Sequence, residues 1–164
     1  MGLRKVVLHD DEYLASACID RVWVCRWWKF PAIAGRPHGG GPQMISASLG
    51  QAERVIGSKF AVLVVVAANT PSPDSALRAE LARLVKKYEP AYECSAYVVE
   101  GEGFQAAAIR GLVTGVMLLA RSAAPTKVFA SVSDAARWFA PRIGADAAAL
   151  DAELSAYCAR RPTP

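Results

Sequence analysis

The sequence predicts an α/β protein whose mixed, largely parallel sheet opens with an antiparallel meander. Strand-like segments alternate with helix-like segments from residue 60 onward, which is the pattern of parallel βαβ units. The first 30 residues instead hold three short strand-like segments joined by polar turns. The length of 164 residues is that of a single domain spanning 1–164.

The meander is predicted from "KVVLHD", "YLASACI" and "RVWVCRWWKF". A tight turn at Asp20-Arg21 is expected to join the second segment to the third. Because side chains alternate along a strand, Trp23, Cys25 and Trp27 are expected to share one face. Tryptophans grouped on one strand fit either a binding surface or a sheet face packed by helices.

The segment 31–43, "PAIAGRPHGGGPQ", is predicted to be a mobile loop because glycine and proline dominate it. His38 stands alone in this loop, so we interpret it as a solvated side chain and not as a catalytic one.

The second half of the chain predicts a regular series of strands and helices. The run "FAVLVVVA" is typical of a strand covered on both faces. The next helix is expected to start with Ser72 as its N-cap and Pro73 in its first turn. The predicted elements are a helix at 43–56, strands at 60–67, 95–100 and 126–131, and helices at about 72–88, 104–121, 131–140 and 146–160.

The stretch "EGEGFQA" has the G-x-G-x-x-A outline of a dinucleotide-binding loop. That loop normally follows the first strand of its fold, and here Glu100 and Glu102 would repel a pyrophosphate. We therefore interpret Gly101 and Gly103 as turn residues. Arg110 is expected either to reach solvent or to pair with Glu100.

The helix that follows this loop is unusually apolar. Ala107, Gly111 and Gly115 recur every four residues, and this flat stripe is expected to let the backbone approach the sheet or another helix. The longest uninterrupted apolar runs have about half the length that a membrane span needs. We therefore expect no membrane span.

Composition argues against several classes of function. The net charge is +4 with a pI near 9.0, but the basic residues are scattered, so no nucleic-acid partner is predicted. The four cysteines form no C-x-x-C pair and are expected to be core residues, without a metal or other cofactor. The N-terminal segment becomes charged before a signal-like apolar stretch forms, so we expect a soluble, cytoplasmic protein.

Three blocks of sequence resemble the STAS-like family, which has the anti-sigma-factor-antagonist type of fold. They are "FAVLVVVAANTPSPDSALRAELARLV", "AYVVEGEGFQAAAIRGLVTGVMLLAR" and "KVFASVSDAARWFA". The resemblance covers roughly residues 20–141 and implies a four- to five-stranded sheet with packed helices, followed here by an extra C-terminal helix at about 145–160.

The resemblance also implies a role. Members of the family are usually bacterial-type binding modules in partner switching, and some are turned off by phosphorylation of a serine between a central strand and the next helix. That turn corresponds here to residues 69–75, which makes Ser72 the candidate for phosphorylation. The usual Asp-Ser-[Ser/Thr]-Gly pattern is missing. Distant cousins of the family hold a lipid tail in an apolar cavity.

Three functions are open at this point. The first is a non-enzymatic regulatory or scaffolding module that binds a protein partner or forms a homodimer. The second is a small-molecule or lipid-binding domain whose apolar cavity is lined by the helix 104–121 or by the tryptophan-rich strand. The third is an enzyme that uses Glu100 or Glu102 at the carboxyl ends of the parallel strands, although no convergent catalytic set is present. The candidate binding residues are Thr70, Ser72, Ser75, Glu100 and Glu102.

Overall fold

A computed structural model describes residues 3–29, 41–68 and 70–161, and the strands of these segments form one six-stranded sheet. The strands are β1 (Lys5–Asp10), β2 (Leu14–Ile19), β3 (Val22–Trp27), β4 (Phe60–Val66), β5 (Tyr92–Val99) and β6 (Thr126–Phe129). The helices are α1 (Gly41–Ile56), α2 (Ser75–Tyr88), α3 (Gly103–Ala120), α4 (Val132–Ile143) and α5 (Ala147–Cys158).

The strands lie side by side in sequence order. The pairs β1–β2 and β2–β3 are antiparallel, whereas β3–β4, β4–β5 and β5–β6 are parallel. This confirms the α/β class, the antiparallel meander and the parallel second half. The expected count of four to five strands is wrong, because β3 pairs directly with β4 and so joins the meander to the parallel part in one sheet.

The turn between β2 and β3 follows the sequence prediction. Ile19 pairs with Val22, which leaves Asp20 and Arg21 as a two-residue connection. Asp20 has a φ of 50°, and aspartate is one of the few residues that tolerate this left-handed conformation.

Two helix starts differ from the prediction. The helix α1 begins at Gly41, inside the segment predicted to be a loop, and the rest of that segment, including His38, lies outside the described residues. The helix α2 begins at Ser75, because the carboxylate of Asp74 accepts a hydrogen bond from the Leu77 N–H at 2.9 Å and caps the first turn. The prediction of Ser72 as the N-cap is therefore wrong.

The helices α1, α2 and α3 cover one face of the sheet, and α4 and α5 cover the other. Right-handed crossovers between parallel strands that advance in one direction place their helices on one face, so α1 to α3 share a side. After β6, the chain folds back over the opposite face. There Leu150, Leu154 and Tyr157 of α5 are buried in the same core as the sheet, so the predicted C-terminal helix covers a sheet face.

The two faces of β4 are not equally covered. On the side of α4 and α5, Leu63 and Val65 are fully buried. On the side of α1 to α3, Val64 and Val66 are only half-buried although they lie on a strand with neighbours on both sides. The helices on this side therefore leave space above the centre of the sheet.

The helix α3 packs loosely. Only Ala106, Ile109, Val116 and Ala120 are buried among its 18 residues. A Cβ atom added at Gly111 or Gly115 would meet no atom within 4 Å among the described residues. The stripe of small residues therefore faces away from the sheet, and at these two glycines neither expected approach of the backbone, to the sheet or to another helix, occurs among the described residues.

Candidate functional site

An apolar cavity of about 120 Å³ lies between the sheet and the helices α1 to α3. Its floor comes from β3, β4 and β5, and the half-buried Val64 and Val66 belong to this floor. Its remaining walls come from the inner sides of the three helices and from the segment 70–73. The cavity therefore lies where the parallel strands and all three crossover helices meet.

Two tryptophans of β3 form part of the wall. Trp23 and Trp27 are 1% and 5% exposed and point to the cavity side of the sheet, as their predicted shared face requires. The Trp23 indole N–H donates to the Ser48 hydroxyl oxygen at 2.8 Å, and this hydroxyl is hydrogen-bonded to that of Ser16 at 2.7 Å. The buried network fixes the orientation of the Trp23 ring.

The inner side of α3 forms the opposite wall. Ile109, Leu112, Val113, Val116 and Met117 all line the cavity. Both elements that the sequence analysis named as walls of a cavity, the apolar helix and the tryptophan-rich strand, thus contribute to it.

The wall carries no formal charge, and its free polar groups are phenols. None of the described residues that line the cavity is Asp, Glu, Lys, Arg or His. Tyr97 and Tyr92 of β5 are 8% and 4% exposed, and neither hydroxyl has a hydrogen-bond partner among the described residues. Burial raises the pKa of both phenols above the ordinary value, so each is a neutral group that is able to donate and accept a hydrogen bond.

Thr70 is the one predicted site residue that lines the cavity. It is 1% exposed, and its hydroxyl donates to the carbonyl oxygen of Ala67 at 2.7 Å. Since this hydroxyl is already bonded to the backbone, Thr70 shapes the wall and holds the loop that follows β4.

Ser72 and Ser75 lie outside the cavity, and both are exposed. Ser75 borders a surface groove between α2 and α3, together with Arg78, Gly111 and Leu119. Ser72 precedes the first turn of α2 and is accessible to a modifying enzyme, so its phosphorylation stays a prediction.

Glu100 pairs with an arginine of β3. The guanidinium of Arg26 donates to both carboxylate oxygens of Glu100, at 2.6 and 2.8 Å. Arg26 lies on the same face of β3 as Val22 and Val24, which pack on the side of α4 and α5, so the ion pair lies on the face opposite the cavity. Arg110 instead donates to the Gly101 carbonyl oxygen at 3.1 Å, so of its two expected alternatives the pairing with Glu100 is not the one found.

The glycine loop after β5 is a tight turn. Gly101 and Gly103 have φ values of 91° and 82°, a conformation that favours glycine at both positions. A Cβ atom at Gly101 would lie 3.4 Å from the Cβ atom of Ala68. Glu102 occupies the N-cap of α3, is exposed and makes no capping hydrogen bond through its side chain.

The cysteines lie in the core. All four are buried and free, as expected of small core residues. Burial raises the pKa of Cys18 and Cys94 to about 11 and that of Cys158 to about 12, so these thiols are protonated at neutral pH. Among the described residues, no group of three or more His, Cys, Asp or Glu side chains could hold a metal ion.

The two phenols were missed by the sequence analysis. The signal available was the pair of tyrosines in the strand-like segment "YECSAYVV", one at its first residue and one five residues later. A phenol in a buried strand usually finds a hydrogen-bond partner, so their unpaired state depends on the cavity, which only the tertiary structure reveals.

Comparison of the chain with models of protein families, with curated proteins and with solved structures gives no match. The STAS-like assignment, the protein partner or homodimer and the cytoplasmic location therefore stay predictions.

Proposed function

We propose that the protein binds a small, uncharged and largely apolar molecule in the cavity beneath α3. The observation that carries this proposal is a space of about 120 Å³ with apolar walls, set between a sheet and its crossover helices. An engineered apolar cavity of about 150 Å³ in another protein stays dry and binds benzene. The somewhat smaller space here therefore suits a molecule about as large as benzene or toluene, with roughly six to eight heavy atoms.

The absence of charge on the described wall residues restricts the ligand. A buried ion without a partner loses its hydration, which costs several kcal/mol. A carboxylate or an ammonium group in this space would meet no counter-charge. The Tyr97 and Tyr92 hydroxyls instead provide neutral hydrogen-bonding groups, so the favoured ligand carries a hydroxyl or carbonyl oxygen on an apolar body. Tyr97 is tested first because it pairs with Val64 in the floor of the cavity.

The test uses matched probe molecules in isothermal titration calorimetry. Toluene and 4-methylphenol have nearly the same shape, and only the second can bond to Tyr97. We expect both to bind with a Kd on the order of 0.1–1 mM, equivalent to about 4–5.5 kcal/mol, whereas benzoate binds at least tenfold more weakly. Tyr97→Phe should weaken 4-methylphenol binding about three- to tenfold and leave toluene binding unchanged.

A second variant fills the space. Val64→Phe places a ring in the floor of the cavity and should abolish binding of both probes. The matched control is Val7→Phe, because Val7 lies on β1 and is 52% exposed. Wild-type protein that binds neither uncharged probe, or a folded Val64→Phe variant that binds as the wild type does, contradicts the proposal.

A second candidate function is a regulatory module that binds a protein partner, as the family resemblance implies. The supporting observation is that Ser72 is exposed in the turn between β4 and α2, where a kinase could reach it. Affinity capture from source-cell lysate with wild type and Ser72→Asp tests this function. Partner switching predicts one specific protein that only one of the two forms retains, and identical captures argue against it.

A further inference from the structure

The outward side of α3 is a continuous apolar surface. Phe104, Leu118 and Leu119 are 91%, 73% and 68% exposed, and they lie at the two ends of the helix. Small residues, among them Ala108 and Gly111, fill the exposed stretch between these ends. Among the described residues, the only other large hydrophobic side chain with such exposure is Val7, on β1. Apolar exposure concentrated on one element marks an interaction surface.

The fold requires that α3 meets any partner along its side. By length and composition alone, Gly103–Ala120 is long and apolar enough to cross a membrane, with a mean hydropathy of 1.5. However, α3 connects β5 to β6, which are parallel neighbours in one sheet. A helix held in this crossover lies along the sheet and presents its flank, so it would lie flat on a bilayer instead of crossing it.

The surroundings of this surface are basic. Counted with their capping residues, α2 and α3 contain six Lys and Arg residues and four acidic residues, which leaves an excess of two positive charges. Arg78 borders the groove between the two helices, beside Gly111 and Leu119. Arg110 lies on α3, and Arg121 follows its last turn and is exposed. Such charges attract anionic lipid headgroups.

A bilayer suits this surface better than a protein does. Protein interfaces need about one hydrogen bond per 100–200 Å². The outward side of α3 has few groups to supply them, since the Thr114 hydroxyl already donates to the Arg110 carbonyl oxygen at 2.9 Å. An acyl-chain region needs no directional bonds. The inner side of the same helix lines the apolar cavity, and a ligand of the proposed class dissolves in bilayers.

We propose that α3 docks flat on anionic membrane surfaces, with its outward apolar side among the headgroups and acyl chains and the nearby arginines on the lipid phosphates. Docking brings the helix that covers the cavity against a reservoir of apolar molecules. The choice of a bilayer rests partly on the proposed ligand class. The exposed surface and its charge do not depend on it.

Vesicle co-sedimentation of the full chain tests the proposal. The probes are vesicles of phosphatidylcholine alone and of phosphatidylcholine with about 30% phosphatidylglycerol, in 0.1 M salt. The test variant carries Phe104→Ser, Leu118→Ser and Leu119→Ser, and the matched control is Val7→Ser. We expect the wild type and the control to bind the anionic vesicles, with a partition coefficient several-fold lower on phosphatidylcholine. The partition coefficient of the triple variant on the anionic vesicles should be at least tenfold lower than that of the wild type.

Three results would overturn the proposal. The first is that the wild type does not bind anionic vesicles, and the second is that the folded triple variant binds them as well as the wild type does. The third is that the wild type forms a dimer, the triple variant is a monomer, and neither binds vesicles. Circular dichroism checks that the triple variant folds, and Phe104→Ser alone, in the first turn of α3, provides a milder variant if it does not. If the protein binds vesicles but not 4-methylphenol, the membrane-docking proposal stands and the proposed ligand function is wrong.

Discussion

Removing the negative charge of Glu100 should destabilise the protein strongly, because Arg26 would keep its charge without a partner. The side chain of Arg26 is 11% exposed and that of Glu100 is 33% exposed, and two short hydrogen bonds join them. The Nε atom of Arg26 already lacks a partner among the described residues. Breaking a buried ion pair by removing one member costs about 3–5 kcal/mol.

For Glu100→Gln we expect the free energy of unfolding to fall by about 3 kcal/mol, the low end of this range, because the Glu100 side of the pair is still in contact with water. In a domain of this length, that loss lowers Tm by roughly 6–12 °C. Urea denaturation followed by circular dichroism measures the free energy of unfolding. The control is Glu102→Gln, because the Glu102 side chain is exposed and makes no capping hydrogen bond. Its expected change in the free energy of unfolding is within about 0.5 kcal/mol.

Combining Glu100→Gln with Arg26→Met should recover most of the lost stability, because no buried charge then remains unpaired. Equal stabilities of the Glu100→Gln and Glu102→Gln variants would refute this reasoning, since the ion pair would then contribute no more than a surface group.

Further predictions concern three hydrogen-bonded side chains. Ser48→Ala should cost about 1–3 kcal/mol and shift tryptophan emission, because the Trp23 N–H loses its acceptor; unchanged emission and stability would contradict the network. Asp74→Ala should cost about 1 kcal/mol in urea denaturation, whereas Ser72→Ala stays within about 0.5 kcal/mol, and the reverse order would restore Ser72 as the cap. For Asp11, burial raises the pKa, but hydrogen bonds from two backbone N–H groups and a neighbouring histidine outweigh it, so the folded pKa lies below the ordinary 3.8. The ionised Asp11 carboxylate therefore contributes to the free energy of unfolding above about pH 4, and this contribution is lost as the pH falls through the folded pKa. The difference in unfolding free energy between wild type and Asp11→Ala should therefore become smaller in acid. A difference that does not change with pH would contradict this assignment.

The sequence predicted the elements well because their signals are local. The β-branched run of β4 and the turn at Asp20 depend on residues close in the chain, and both are confirmed. The start of α2 was misjudged because Ser72 and Asp74 are both good caps, and the choice depends on which side chain meets a backbone N–H. The number of strands was taken from the family resemblance, which covers roughly residues 20–141 and so leaves out β1 and β2.

The candidate site was predicted only in part, because it depends on packing between distant segments. Sequence patterns marked the tryptophan-rich strand and the apolar helix as walls, yet Glu100, chosen for its position after a strand, is held by Arg26 on the other face. The outward direction of Gly111 and Gly115 was also missed, since helical periodicity gives a stripe without saying which side faces the sheet.

The central claim is that the space beneath α3 is a ligand site. Its most direct test is an isotope-filtered nuclear Overhauser experiment on the protein saturated with 4-methylphenol, which reports the side chains that the ligand touches. We predict contacts from the ligand methyl and ring protons to the methyl groups of Val64 and Met117, and none to Val65, which lies on the opposite face of the same strand. Contacts confined to exposed side chains, or none at saturating ligand, would contradict the claim.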